Sequence, residues 1–188
     1  MKPHPQPLSH RERGVAFSIQ KIGQTMAKTN PAIGVIGGAE ASEETCRVAY
    51  EVGRYIANNN AILICGGLGG VMEAASKGAS ENGGVVVGII PGTEKNAANP
   101  FVQIVIPTGM GVARNALVVH ASDVLIAFPG KFGTLSEIGL ALNLGKPVIY
   151  LPGAWNLQKI EPVDASLYKE AFDAHSAVGL AIGALTKK

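Results

Sequence analysis

The residues of this sequence best suited to bind a ligand lie in three turns rich in glycine. They are Gly37-Gly38-Ala39, Gly66-Gly67-Leu68-Gly69-Gly70 and Pro129-Gly130-Lys131-Phe132-Gly133-Thr134. Each turn joins an apolar run to a helical pattern. Glycine lets the backbone approach a ligand and turn its N–H groups toward an anion, and the following helix adds the positive end of its dipole. Any one such turn is equally well explained by tight turning alone, but three at one sheet edge predict a phosphate pocket.

Two polar residues, Arg114 and Asn115, stand in a helical pattern that is otherwise apolar. Polar groups kept within an apolar surface need partners. The planar guanidinium suits phosphate or carboxylate, which favours a ligand contact over a merely solvated arginine.

The segment after the third turn allows two interpretations. Thr134 and Glu137 have the spacing of a capping box, in which each side chain bonds the other residue's backbone N–H. Alternatively, the Glu137 carboxylate contacts ligand hydroxyls or transfers a proton. Lys131, at the tip of the turn, is either a solvated lysine or a cation above the anion.

Apolar runs alternate with helical patterns from Ala32 onward, as is typical of βαβ units. Strands are predicted over 32–37, 61–65, 85–90, 103–107, 123–128 and 147–151, and helices over 42–59, 70–82, 111–121, 134–144 and 174–185. The predicted strands are mostly continuous in apolar character, which fits a sheet covered on both faces. The predicted fold is therefore α/β, Rossmann-like and doubly wound, with a mostly parallel sheet and helices on both faces.

Two segments stand apart from this alternation. The first 28 residues contain several prolines and no apolar core, so residues 1–28 are predicted to be a disordered N-terminal extension. Residues 29–188 are predicted to be a single Rossmann-like ligand-binding domain. Residues 155–168 show little periodicity and allow two interpretations, a flap or a contact between copies of the chain.

Composition narrows the classes of partner. The 188 residues are 47% hydrophobic and 16% charged, with a net charge of +2. Because no basic cluster adjoins aromatic residues, we expect no nucleic-acid partner. Every apolar stretch is short, so we expect no membrane partner.

Cys46 and Cys65 stand far apart, which argues against a metal site and agrees with a cytoplasmic location. The high apolar content predicts a homo-oligomer, either a dimer or a tetramer.

The dinucleotide-binding pattern does not fit the second turn. Gly67-Leu68-Gly69 is followed by Met72 where the third glycine belongs, and the next strand ends in Pro91-Gly92 without an acidic residue for the ribose. We therefore expect no NAD, and instead a phosphorylated small molecule that is nucleotide-like or pterin-like.

Three motifs carry a resemblance to a known superfamily. They are Gly-Gly-Leu-Gly-Gly-Val-Met at 66–72, Met-Gly-Val-Ala-Arg-Asn at 110–115 and Pro-Gly-Lys-Phe-Gly-Thr-Leu-Ser-Glu at 129–137. The chain resembles the Rossmann-like superfamily often labelled lysine-decarboxylase-like. That superfamily includes the LONELY GUY phosphoribohydrolases, relatives of DNA-processing protein A and the molybdenum cofactor carrier proteins. The resemblance spans roughly residues 32–151.

The resemblance implies one of two activities. The phosphoribohydrolases use a Pro-Gly-Gly-x-Gly-Thr-x-x-Glu turn and an upstream Arg-Lys, and Arg114 and Glu137 match their catalytic positions. As a hydrolase, the chain would cut the N-glycosidic bond of nucleoside 5'-monophosphates. However, Lys131 replaces the second glycine and Asn115 replaces the lysine. These departures fit the carriers better.

The favoured interpretation is a carrier without catalytic residues. It would bind the phosphate-bearing molybdenum cofactor (Mo-molybdopterin), protect it and pass it to molybdoenzyme apoproteins. The residues expected to bind the cofactor belong to the three turns and two of the helices: Gly37, Gly38, Gly67, Leu68, Gly69, Gly70, Arg114, Asn115, Gly130, Lys131, Phe132, Gly133, Thr134 and Glu137.

Overall fold

The computed structural model describes residues 30–153, 164 and 166–186, and within these residues seven parallel strands form one sheet. The strands are β1 (Ala32–Ile36), β2 (Ile62–Cys65), β3 (Val86–Ile90), β4 (Ile104–Pro107), β5 (Val124–Ala127), β6 (Val148–Tyr150) and β7 (Tyr168–Glu170). Their order in the sheet is β4-β3-β2-β1-β5-β6-β7. The chain builds outward from β1 to β4 and then returns to the other side of β1 as β5. The predicted doubly wound fold is confirmed.

Helices cover both faces of the sheet. They are α1 (Glu43–Asn58), α2 (Val71–Glu81), α3 (Asn115–Ala121), α4 (Phe132–Asn143) and α5 (Ala174–Leu185), with short 3-10 helices at Lys95–Ala97 and Gly111–Arg114. Helices α1, α2 and α5 pack on one face, and α3 and α4 pack on the other. Successive strand residues face opposite layers, as Val124 and Leu125 of β5 do. Both layers are apolar, which explains why β1, β2, β3, β5 and β6 contain no charged residue, whereas β7 at the edge of the sheet has the sequence Tyr-Lys-Glu.

Glycines bring the backbones of α1 and α2 into contact. A Cβ at Gly53 would overlap the carbonyl oxygen of Ala75, and a Cβ at Gly78 would overlap that of Tyr50. Only glycine allows so close a crossing. The contact fixes α1, and with it the loop that precedes α1, against α2.

Several boundaries differ from the prediction. Strand β7 was not predicted, because its sequence, Tyr-Lys-Glu, lacks the apolar pattern of the other strands and follows a segment of little periodicity. It pairs Tyr168 with Val148 of β6. The predicted helix over 111–121 begins as a 3-10 helix, and α4 begins at Phe132, two residues before the predicted start. The predicted N-terminal extension, 1–28, lies outside the described residues, as does most of 155–168. None of the described helices is long and apolar enough to cross a membrane.

Candidate ligand-binding site

A cavity of about 610 Å³ opens at the carboxyl ends of β1, β2 and β5. The order of strands reverses between β1 and β5, and ligands of open α/β sheets bind at such a point. The volume lies within the range of small-molecule sites. Its wall comprises Ile36, Gly37, Gly38, Ala39, Glu40, Ala41, Ser42, Thr45, Gly66, Leu68, Met72, Val112, Arg114, Asn115, Pro129, Gly130, Lys131, Gly133, Thr134 and Glu137.

The N-terminus of α4 forms the anion-binding end of the cavity. No side chain caps this helix, so the first-turn N–H groups have no partner within the helix and lie at the cavity wall. The positive end of the helix dipole is added to these donors. Gly130 is needed for close approach, since a Cβ there would overlap the Thr134 hydroxyl and lie 3.1 Å from the Gly38 nitrogen. Free N–H donors and the helix dipole favour an anion such as phosphate or carboxylate at this end.

The second glycine turn reaches the cavity only through Gly66 and Leu68, and its remaining residues support the first turn. The Val71 N–H at the start of α2 donates to the Gly38 carbonyl at 3.0 Å, and a Cβ at Gly70 would overlap that same oxygen. The N-terminus of α2 is therefore occupied by the first turn. Of the predicted binding residues, Gly67, Gly69, Gly70 and the largely exposed Phe132 are absent from the cavity wall, whereas the other ten line it.

Arg114 crosses the cavity floor in an almost fully buried position. Its Nη2 donates to the Gly66 carbonyl at 3.3 Å and its Nη1 to the Asn115 side-chain oxygen, while its Nε has no partner among the described residues. The amide nitrogen of Asn115 donates to the Gly133 carbonyl at 3.4 Å, which links the arginine to α4. Burial lowers the pKa of the Arg114 guanidinium, which nevertheless stays charged.

The Glu137 carboxylate lies beside Arg114 and does not form the predicted capping box. Its Oε1 is 3.8 Å from Arg114 Nη1, and its side chain is 8% exposed. The capping interpretation is wrong because α4 begins at Phe132, which places Thr134 and Glu137 inside the helix. Burial raises the Glu137 pKa to about 7, although the nearby guanidinium opposes this shift. The group is thus able to exchange a proton near neutral pH.

The loop from β1 to α1 contributes residues that the sequence analysis missed. Ser42 caps α1 and its hydroxyl lies 2.9 Å from that of Thr45, and both residues line the cavity. Glu40 lies at the rim, 3.6 Å from the Lys131 ammonium, and both side chains are largely exposed. The signal was available, since a serine followed by two glutamates marks a helix start directly after the first turn.

The cavity therefore combines an anion-binding end with the buried Arg114–Glu137 ion pair. Within the described residues, no cluster of His, Cys, Asp and Glu is suited to hold a metal ion. The arrangement can bind a phosphorylated molecule whose remaining part carries polar groups. It can also transfer a proton at Glu137.

Comparison with solved structures gives two similar proteins. The chain is 35% identical to the molybdenum cofactor binding protein from the phototrophic bacterium Rippkaea orientalis, with a TM-score of 0.80 over 85% of this chain and 99% of that one. It is 36% identical to the molybdenum cofactor carrier protein from Chlamydomonas reinhardtii, with a TM-score of 0.78 over 84% of this chain and 99% of that one.

Sequence comparison adds a family and two relatives. Residues 30–185 match the SLOG cluster4 family. An uncharacterized protein of Archaeoglobus fulgidus is 55% identical over 119 residues, which are 63% of this chain and 78% of that protein. A probable cytokinin riboside 5'-monophosphate phosphoribohydrolase of Oryza sativa subsp. japonica is 32% identical over 93 residues, 48% of this chain and 41% of that protein.

Proposed function

This chain belongs to the SLOG cluster4 family, and we propose that it binds the phosphate-bearing molybdenum cofactor, protects it and passes it to apoenzymes. The observation that carries this proposal is the similarity, at 35% and 36% identity over 99% of their lengths, to a molybdenum cofactor binding protein and a molybdenum cofactor carrier protein. The cavity at the point where the strand order reverses supports it independently, since its anion-binding end suits the terminal phosphate of the cofactor.

The residues of the cavity fit such a cargo. Gly130, Gly133 and Thr134 present backbone and hydroxyl donors to the phosphate, and Lys131 adds a positive charge at the rim. The Nε of Arg114 is a buried donor without a partner among the described residues, which costs about 1–3 kcal/mol. When bound, the cargo itself supplies the metal and its dithiolene sulfurs, and the protein contributes only binding and exclusion of water.

Transfer to an apoenzyme tests this proposal. Freshly isolated cofactor is mixed anaerobically with the protein, held for increasing times and then offered to a cofactor-free molybdoenzyme. We expect the recovered enzyme activity to decay more slowly with this protein than with serum albumin. We also expect Arg114→Met to lose the protection while Arg47→Met, exposed on α1, retains it. Equal decay with this protein and albumin would overturn the carrier proposal.

A second candidate function is hydrolysis of nucleoside monophosphates. It is favoured by the approach of Arg114 to Glu137 in the cavity and by a Glu137 pKa of about 7, which suits proton transfer to a departing base. Sustained release of adenine from adenosine monophosphate, lost in Glu137→Ala, would establish this activity. No release at high protein concentration would exclude it for this substrate.

We further propose that the protein is a cytoplasmic homo-oligomer. Ile104 and Ile106 of β4 lie in register with Val87 and Ile89 of β3, whose side chains belong to the layer of α3 and α4. The side chains of Ile104 and Ile106 are nevertheless 50% and 43% exposed. That apolar edge suits a second copy of the chain. Sedimentation velocity tests it: we expect a dimer or tetramer, and Ile106→Glu should shift the distribution to monomer. A monomer at micromolar concentration would contradict the proposal.

A further inference from the structure

The buried carboxylate of Glu137 has hydrogen-bonding capacity that the described residues leave unused. None of them donates a hydrogen bond to it, and its nearest cation, Arg114 Nη1, lies at 3.8 Å, beyond hydrogen-bond distance. A side chain that is 8% exposed and lines a cavity has lost most of its water contacts. A ligand that supplies donors would compensate for that loss.

Arg114 is held away from Glu137 by its other bonds. Nη2 is bound to the Gly66 carbonyl and Nη1 to Asn115, so the guanidinium supplies charge to Glu137 without a direct bond. Glu137 lines the cavity, and no described residue occupies its acceptor positions. The pair is thus incomplete until a ligand enters.

The position of Glu137 relative to the anion-binding end sets which part of a ligand it meets. Glu137 follows Thr134 by three residues in α4, so the two lie on the same side of the helix, about one turn (~5 Å) apart. A ligand whose phosphate sits at the N-terminus of α4 therefore presents its non-phosphate part to Glu137.

An ionised carboxylate is an acceptor only, and its two oxygens match two adjacent N–H donors. A 2-amino-4-oxopyrimidine ring, which pterin and guanine share, presents a ring N–H next to an amino group. Adenine presents an amino group next to a ring nitrogen lone pair, which would face the carboxylate unfavourably.

We propose that Glu137 makes this site selective for phosphorylated ligands whose ring carries the 2-amino-4-oxopyrimidine edge, as pterins and guanine do, over ligands that carry adenine. The inference rests on the proposed binding of a phosphate at α4, and it concerns ring recognition, which the carrier assay does not measure.

The charge of Glu137 makes this selectivity depend on pH. The other charged groups lining the cavity are Arg114, Glu40 and Lys131, and the buried Cys65 thiol is close enough to Arg114 to interact with it. With a Glu137 pKa of about 7, the ionised form dominates above pH 8 and the protonated form below pH 6. A protonated carboxyl both donates and accepts, which complements the adenine edge. The preference for guanine should therefore weaken as the pH falls.

Guanosine monophosphate and adenosine monophosphate test the proposal, because they carry the same sugar and phosphate. Their dissociation constants are measured by calorimetry at pH 8.5 and pH 6, with free base followed chromatographically. We expect a preference for guanosine monophosphate of about 5-fold to 150-fold at pH 8.5, as one bidentate pair provides. At pH 6 the preference should fall by at least fivefold.

Two variants assign the effect to Glu137. Glu137→Gln, which mimics the protonated group, should lose the preference and its dependence on pH, while Glu44→Gln, on the exposed first turn of α1, should keep both. Equal affinity for the two nucleotides at pH 8.5, no binding of either at millimolar concentration, or an unchanged preference in Glu137→Gln would overturn the inference. Selective guanosine monophosphate binding without cofactor protection would instead refute the carrier proposal alone.

Discussion

The buried ionisable group of α4 leads to a prediction about folding stability, measured without any ligand. Burial raises the Glu137 pKa from its ordinary value of 4.5 to about 7, so the folded protein binds this proton more tightly than the unfolded chain does. The corresponding stability is fully present below about pH 4.5 and is lost as the pH rises through 7. The substitution Glu137→Gln removes the titrating group and should remove this loss.

The size of the effect follows from the shift. With a pKa near 4.5 in the unfolded chain and near 7 in the folded protein, the linked free energy of unfolding falls by about 2–3 kcal/mol between pH 5 and pH 8. Other groups titrate in the same range, but they do so in both proteins. The difference in unfolding free energy between Glu137→Gln and wild type should therefore change by about 2–3 kcal/mol in favour of the variant over that interval.

Urea unfolding at pH 5, 6, 7 and 8 measures this difference. Glu44→Gln serves as the matched control, because the Glu44 carboxylate is exposed and its pKa is lowered by Arg47, so the control difference should stay constant. If wild type and Glu137→Gln lose stability in parallel from pH 5 to pH 8, Glu137 ionises normally in the folded state. The inference that burial dominates over the charge of Arg114 would then be refuted.

Three further predictions concern packing, capping and charge at the rim. Gly53→Ala should destabilise the protein by several kcal/mol, because the added Cβ would overlap the backbone of α2. Gly139→Ala, in open space within α4, should instead stabilise the protein by about 0.5–1 kcal/mol. Urea unfolding of both variants checks this contrast. Lys146→Met removes an ammonium that donates to three carbonyls at the end of α3, and we expect a loss of about 1–3 kcal/mol in the same assay. Lys131→Ala should weaken phosphate binding and Glu40→Gln should strengthen it, each by about twofold to fivefold at low salt and less at high salt, as measured by calorimetry.

The sequence was sufficient to predict strands β1 to β6, the parallel sheet and the helix at 174–185, because their patterns agree with the final packing. It was not sufficient where distant partners decide between alternatives. The spacing of Glu137 allowed both a cap and a ligand contact, and the position of Arg114 and the earlier start of α4 place it in the cavity wall.

The second glycine turn shows the same limit. Its composition is that of an anion site, yet the Gly38 carbonyl accepts the Val71 N–H at the start of α2. No local pattern reports that contact, since it depends on how two turns 30 residues apart in sequence meet at the sheet edge. Glu40, Ser42 and Thr45 reach the cavity for the same reason, through the placement of α1.

The glycine contact between α1 and α2 also restrains one wall of the cavity. Because Gly53 and Gly78 bring the two backbones together, the loop before α1 is coupled to α2 and to the sheet beneath it. Displacement of that wall would require the two helices to separate. The Gly38 N–H at the end of β1 also donates to the Pro129 carbonyl at 3.1 Å, so the backbone that lines the cavity is held by the helix pair on one side and by the third turn on the other.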